Sequence, residues 1–441
     1  MTTSRVSASR LVATARAAPW RLLRDPSSLL VVCQLIGAGV AFVANILAAR
    51  ELEPSGRGEL ALLLQIAYLS SLGLLLGSDR SVIAVYSGSP ARIVTRSFAR
   101  LLVAPSAVGL VAVALALALP LHGVQSWRGG LALALLFAVI NAFVRAVRSI
   151  AIAAGRYREY LGYCLASGTL MLLAIGVLVV VDSRNSTVWM LAYLVVGTLP
   201  TAVWLGRWAW SVPPANAAQS SAVRGALRVS RREGLQLFPS ALAQSGMLRL
   251  DRLLLAGLAS TAELGMYATV ATMTELIGWP LLAFADSRLG RWRAAHDGGT
   301  LALRGILVTV VGYSVAAACL MAVTLHLLLV PLLGISYQPA GQLVVPLVAA
   351  AAVLGVSQIL VSLLIAVRQN SLASVVEIAG FAVSIVGYVA LISQHGALGA
   401  AVGSLLGYLA CLAGAALALM RVRNLPRRSL DGPAHNHERG P

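Results

Sequence analysis

GLALALLFAVINAFVRAVRSIAIAAGRYR, residues 130–158, decides how the rest of the chain is read. Its apolar run is interrupted only by Asn141, Arg145, Arg148 and Ser149, and it ends on Arg156 and Arg158. A helix needs about 20 apolar residues to cross roughly 30 Å of hydrocarbon. Arginines just beyond such a run mark the end that stays in the cytoplasm. Working outward, comparable runs lie at 29–49, 59–77, 97–119, 161–181, 187–206, 234–257, 264–285, 303–330, 342–366, 372–393 and 397–420. The 441 residues are 59% hydrophobic and 11% charged, against about 25% charged in an average soluble domain. Mean hydropathy is +0.84. A water-soluble fold could not cover its surface with so few charges. The expected fold is an all-α polytopic membrane protein of about twelve transmembrane helices.

Charge placement tests that count independently. All 34 basic residues are arginine. With the N-terminus inside, 28 of them fall in segments read as cytoplasmic, and only Arg50, Arg57, Arg128 and Arg184 fall in outer loops. Arg249 and Arg252 lie within the seventh helix. Such alternation predicts a multi-pass membrane protein with both termini in the cytoplasm. The net charge of +18 is dispersed over short loops with no basic domain interleaved with aromatics, so no nucleic-acid partner is expected. Membrane lipids are, because anionic headgroups attract arginine-rich loops. Cys33, Cys164, Cys319 and Cys411 all sit in apolar runs without metal-ligand spacing and are read as small core residues. His435 and His437 fall in a solvated tail, so neither a metal nor a cofactor is expected.

The chain divides into a basic N-terminal segment (1–28), a six-helix bundle (29–206), a polar linker (207–233), a second six-helix bundle (234–420) and a disordered tail (421–441). A shift of 207 aligns Ala49 with Ala256, Gly58 with Gly265, Ala61 with Ala268 and Asp79 with Asp286. A later shift of 212 pairs Arg156 with Arg368. With six helices each, the two repeats face the same way, as in transporters that rock around a central cleft.

Polar side chains inside a membrane usually face protein or a wet cavity. Asn141, Arg145 and Arg148 share one face of the fourth helix by i, i+4, i+7 spacing. Ser245, Arg249 and Arg252 do the same in the seventh, beside a stripe of Ser240, Gln244 and Asp251. The first helix aligns Gln34 with Asn45, the eighth carries Thr272 and Glu275, and the eleventh carries Ser374, Glu377, Ser384 and Tyr388. A charge at the helix centre costs roughly 2.5–3.5 kcal/mol on insertion scales. Arg249 and Arg252 either pair with Asp251 and snorkel outward or line the cleft. Glu275 and Glu377 are either structural partners of the arginines or, with Asp251, carboxylates that couple transport to protons or sodium.

The segment NILAARELEPSGRGELALLLQ, from Asn45 to Gln65, carries an A-R-x-L-x-P-x-x-x-G pattern at Ala49, Arg50, Leu52, Pro54 and Gly58. LRLDRLLLAGLASTAELGMYATVATMTEL, from Leu248 to Leu276, places Asp251, Gly265, Tyr267 and Glu275 around the matching junction of the second half, and GALGAAVGSLLGY closes the last helix from Gly396 to Tyr408. In these stretches the chain resembles the bacterial oligosaccharide and polysaccharide flippases, of the superfamily that also contains multidrug extruders and lipid II flippases. It departs from them at Glu53, where a glycine often precedes the proline, and at Arg57, where an aromatic often precedes the second glycine. No thirteenth or fourteenth helix is present, which points to the polysaccharide branch.

The resemblance implies a flippase, not an enzyme, that moves a polyprenyl-pyrophosphate-linked oligosaccharide across the bilayer by alternating access, working with polysaccharide-assembly proteins. The expected headgroup contacts are Asn45, Asn141, Arg145, Arg148, Gln244, Arg249 and Arg252, because guanidinium forks suit phosphate oxygens. The alternative is a cation-coupled multidrug or small-molecule antiporter of the same superfamily, which should present acidic walls to cationic drugs. An ATP-driven pump is excluded, since a chain without lysine cannot form the G-x-x-x-x-G-K-[ST] loop.

Overall fold

A computed structural model describes residues 26–118, 128–211 and 219–424, all of them helix or short connection. Most of the basic N-terminal segment, the middle of the linker and the tail with His435 and His437 lie outside the described residues.

The described residues make twelve helical passes, in keeping with the twelve apolar runs, but the chain turns more tightly than expected. α1 (Pro26–Leu75) carries the first two passes as one element broken at Glu53, whose φ of 55° and ψ of 176° are essentially a glycine conformation. Pro54 follows, with no N–H to continue the ladder. The segment read as an outer loop is therefore a corner, and Arg57 belongs to a helix. α2 (Ser78–Val85) is a short surface helix that follows Gly77 in the left-handed region. α3 (Ala91–Ala118), α4 (Arg128–Ala153), α5 (Tyr157–Val180) and α6 (Ser186–Ala209) complete the first half.

α7 (Gln219–Leu258) runs 40 residues without a break. From Gln219 the polar linker is already helix and continues into the seventh pass. α8 (Thr261–Thr274) and α9 (Trp279–Asp297) form one pass bent by 40°. The bend falls on a 3-10 turn, Glu275–Ile277. α10 (Leu303–Leu333) and α11 (Gly341–Ala366) follow, and α12 (Asn370–Asn424) carries the last two passes around Gly396, at φ 52°. Glu263 accepts the Ala397 N–H at 2.8 Å, capping the final limb.

The first half has apolar cores of its own, and that of the second half takes in residues of the first. Leu60, Leu63, Phe137, Met171 and Trp189 fill one end of the first half, with Val82, Phe98, Ile150 and Trp208 at the other. In the second half, Ala49 and Ala61 of α1 join Leu255, Leu264, Tyr267, Ala268 and Tyr388. The outer surface carries Val103, Val108, Leu173, Leu320, Leu327 and Val345, each well exposed, which is the face a helix bundle presents to lipid.

The repeat is visible in the backbone. A Cβ on Gly58 would strike the Thr261 carbonyl, and a Cβ on Gly265 would strike the Pro54 carbonyl. These two contacts exchange under the same shift of 207, so the halves meet around a local two-fold. The turns after α4 and α11 also match: Arg156 N–H bonds the Ala151 carbonyl, and Gln369 N–H bonds the Leu364 carbonyl. That pattern sets the later shift at 213, one more than the arginine pairing gave, because the turns align by backbone rather than by side chain.

Candidate functional site

One cavity of about 600 Å³ lies between the halves. Its lining begins with Cys33, Gln34, Asn45, Arg57, Gln65 and Tyr68 from both limbs of α1. Asn141 and Arg148 of α4 and Tyr160 and Cys164 of α5 continue it, and Arg249, Arg252, Thr272 and Glu275 of α7, α8 and the bend close it. The charged lining residues are four arginines, Arg57, Arg148, Arg249 and Arg252, and one carboxylate, Glu275.

Each arginine is placed by a local reason. Arg57 is 6% exposed and donates to the Asn45 Oδ1 at 2.6 Å, while its Nε and Nη1 are buried without a hydrogen-bond partner. Asn45 in turn donates to the Thr269 carbonyl at 3.1 Å, so Arg57 is fixed by a residue that bridges the halves. Arg249 donates to Gln65 Oε1 at 3.1 Å and stacks 4.7 Å above the Tyr68 ring. This puts a second-half cation on first-half partners, in a cation–π geometry that tolerates desolvation. Arg252 pairs with Glu275, which the bend between α8 and α9 turns toward it. Burying a guanidinium without a counter-charge costs several kcal/mol. One carboxylate answers one of these cations, leaving a strongly positive cavity.

Of the residues expected from the sequence, Asn45, Asn141, Arg148, Arg249 and Arg252 come together here with Gln34, Thr272 and Glu275. Arg145 does not. It pairs with Asp79 of α2 at 2.8 Å and stands outside the lining. The cavity stripe on α4 is Asn141, Val144 and Arg148, spaced i, i+3, i+7, so the i+4 arginine falls to the other side. Gln244 also stands outside. It accepts from Arg80 at 2.8 Å and donates to Gln358 at 3.0 Å, in a polar link between the halves. Asp251 is 3% exposed and accepts from the Tyr267 hydroxyl at 2.6 Å and the Arg252 N–H at 2.7 Å. Tyr388, Ser404 and Tyr408 extend that network to the Met247 carbonyl. The polar stripe of the eleventh helix therefore serves the interior of the second half, where Glu377 is buried, rather than the cleft. Among the cysteines, Cys33 and Cys164 line the cavity and Cys319 is exposed on the apolar surface, so the core reading holds for Cys411 and in part for Cys33.

Arg57 is the residue that sequence reasoning missed. Hydropathy placed it in an outer loop, yet its signal was present: a charged residue stands where the resembling flippases often carry an aromatic, one position before a glycine that fixes helix contact.

Neither a protein-family model nor a curated protein matches the sequence. Solved structures match its fold over nearly the whole length. An inward-facing multidrug resistance MATE family transporter of the MOP superfamily is 14% identical with a TM-score of 0.66, covering 89% of this chain and 96% of its own. An outward-facing structure of such a transporter gives 15% identity and 0.54, covering 91% and 97%. A mutant of the Vibrio cholerae MATE transporter VcmN gives 16% and 0.54, covering 95% and 98%. The all-α, two-repeat fold is thus that of the MATE transporters. Two of these structures are titled as multidrug resistance transporters.

Proposed function

We propose that this chain is a secondary transporter, not an enzyme, that moves drug-sized organic anions across the membrane by alternating access. The observation that carries this reading is the cation excess of the cavity, whose lining holds four arginines against one carboxylate. A volume near 600 Å³ is that of a drug-sized ligand site. Both size and fold support the small-molecule, multidrug-type side of the superfamily over transport of a long oligosaccharide. The charge argues against cationic drugs as the preferred cargo.

A second reading keeps the same chemistry. The pyrophosphate of a polyprenyl-linked sugar is an organic anion, Arg57, Arg249 and Arg252 would take its oxygens, and the lipid tail would stay in the bilayer between the halves. The sequence resemblance favours it. On either reading the arginine-rich end faces the cytoplasm, and the greater likeness to the inward-facing structure supports a cavity approached from that end. An inside-negative potential drives export of an anion by about 2.3 kcal/mol per charge per 100 mV, and Asp251, with its tyrosine partner, is the carboxylate through which a proton or sodium ion would add to that drive.

The test is uptake into proteoliposomes of a fluorescent organic anion, an organic cation of matched size and a labelled polyprenyl-pyrophosphate sugar, each with and without an imposed potential. Transport of the anion but not the cation, accelerated by the potential, is the expected result. Transport of the lipid-linked sugar alone would select the second reading. Efflux of the cation alone, abolished in Asp251→Asn, would replace both with a cation-coupled antiporter.

A further inference from the structure

Away from the central cavity, two depressions on the outer surface share a wall. One is an apolar groove of about 420 Å³ between Gly73, Leu74 and Leu75 of α1 with Leu76 just beyond it, Leu101, Ala104, Pro105 and Val108 of α3, and Leu235 of α7. The other, about 430 Å³, is formed by Arg228, Arg231, Arg232, Leu235 and Gln236. Arg231 and Leu235 belong to both. The groove has local causes. α1 ends on two left-handed residues, Leu76 and Gly77, so the first half turns away just where Pro105 interrupts the ladder of α3. The cationic rim is a helical stripe: 228, 231, 232, 235 and 236 follow i, i+3, i+4, i+7, i+8 on one face of α7, and all five are exposed.

We propose that this pair of depressions is a binding site for one anionic phospholipid, with an acyl chain along the groove and the phosphate held by Arg228, Arg231 and Arg232. The charge decides the occupant. An apolar slot on a lipid-facing surface takes an acyl chain of any lipid, but three exposed guanidiniums at its mouth select a headgroup of net negative charge. The polarity also runs the right way along α7, from arginine at the membrane surface to leucine inside it. Glu233, the carboxylate next in sequence, does not border either depression. Because α1 and α3 belong to the first half and α7 to the second, the bound lipid touches both halves beside the Gly77–Gly234 contact.

Native mass spectrometry of the purified, delipidated full chain tests this, titrating phosphatidylglycerol against phosphatidylcholine of the same acyl chains. One phosphatidylglycerol per chain is expected to survive activation with at least about tenfold preference, since each arginine near an anionic surface contributes about fivefold. The triple variant Arg228→Gln/Arg231→Gln/Arg232→Gln should lose the preference, and Ala104→Trp, which fills the groove from an exposed position, should lower retention of both lipids. A triple variant that keeps the preference, or a filled groove that retains lipid unchanged, overturns the site. None of these readouts depends on transport.

Discussion

The two ends of the seam between the halves are built differently. At the end away from the arginines, Gly58 and Gly265 lie against the backbone of the other half, with no room for a methyl group. At the arginine-rich end the halves also meet at a glycine pair, Gly77 and Gly234, but polar side chains surround it. Ser81 and Ser230 share a hydrogen bond at 2.9 Å, and Arg80 reaches Gln244 at 2.8 Å. A dry backbone contact has one good geometry and fails abruptly when it opens. Hydrogen bonds near headgroups are exchangeable with water, and a typical one contributes only about 0.5–1.5 kcal/mol net. The difference fits the alternating access proposed above, in which the arginine-rich end admits substrate while the other end is sealed.

The largest test of that contrast is Gly58→Ala. Overpacking costs about 1–3 kcal/mol, so the ratio of sealed to open chains should fall roughly 5- to 150-fold, read as a longer spin-label distance across that end. Unchanged distances would mean the glycine contact is no seal. Next comes Arg57→Gln, which removes charged hydrogen bonds of about 1.5–3 kcal/mol and should slow uptake of the organic anion about 10- to 100-fold without lowering the melting temperature. A variant that melts early yet transports normally would make Arg57 structural. Glu53→Gly relaxes a glycine-only backbone and, after the entropy penalty of glycine, should stabilise the fold by about 1 kcal/mol, seen as a higher melting temperature. Smallest is Arg80→Ala, expected to weaken the polar end by about 0.5 kcal/mol and to leave the opposite spin-label distance where it was. If Arg80→Ala moved that distance as far as Gly58→Ala, the two ends would not be distinct.

Much of the fold was legible because the membrane imposes lengths. The number of passes follows from the apolar runs and the arginines between them. The offset of 207 was legible too, since Gly58 and Gly265 recur for a backbone reason. What the sequence hid were phases and corners. Arg145 and Arg148 are both compatible with a stripe through Asn141, and only the packing of α2, which brings Asp79 to Arg145, separates them. Arg57 was hidden because a break at Glu53 alone replaces a loop and draws it into the helix.

The reciprocal glycine contact has a consequence for ancestry. A contact whose two sides are interchangeable can be made by two copies of one six-helix unit, where every substitution acts twice. Joining the copies in one chain lifts that constraint. Under the same offset Asn45 corresponds to Arg252, Arg57 to Leu264 and Tyr68 to Glu275. The symmetric surface survives at Gly58 and Gly265, while the cavity beside it has one wall that carries an unanswered cation and another that carries an ion pair, an asymmetry that a dimer of identical units could not have acquired.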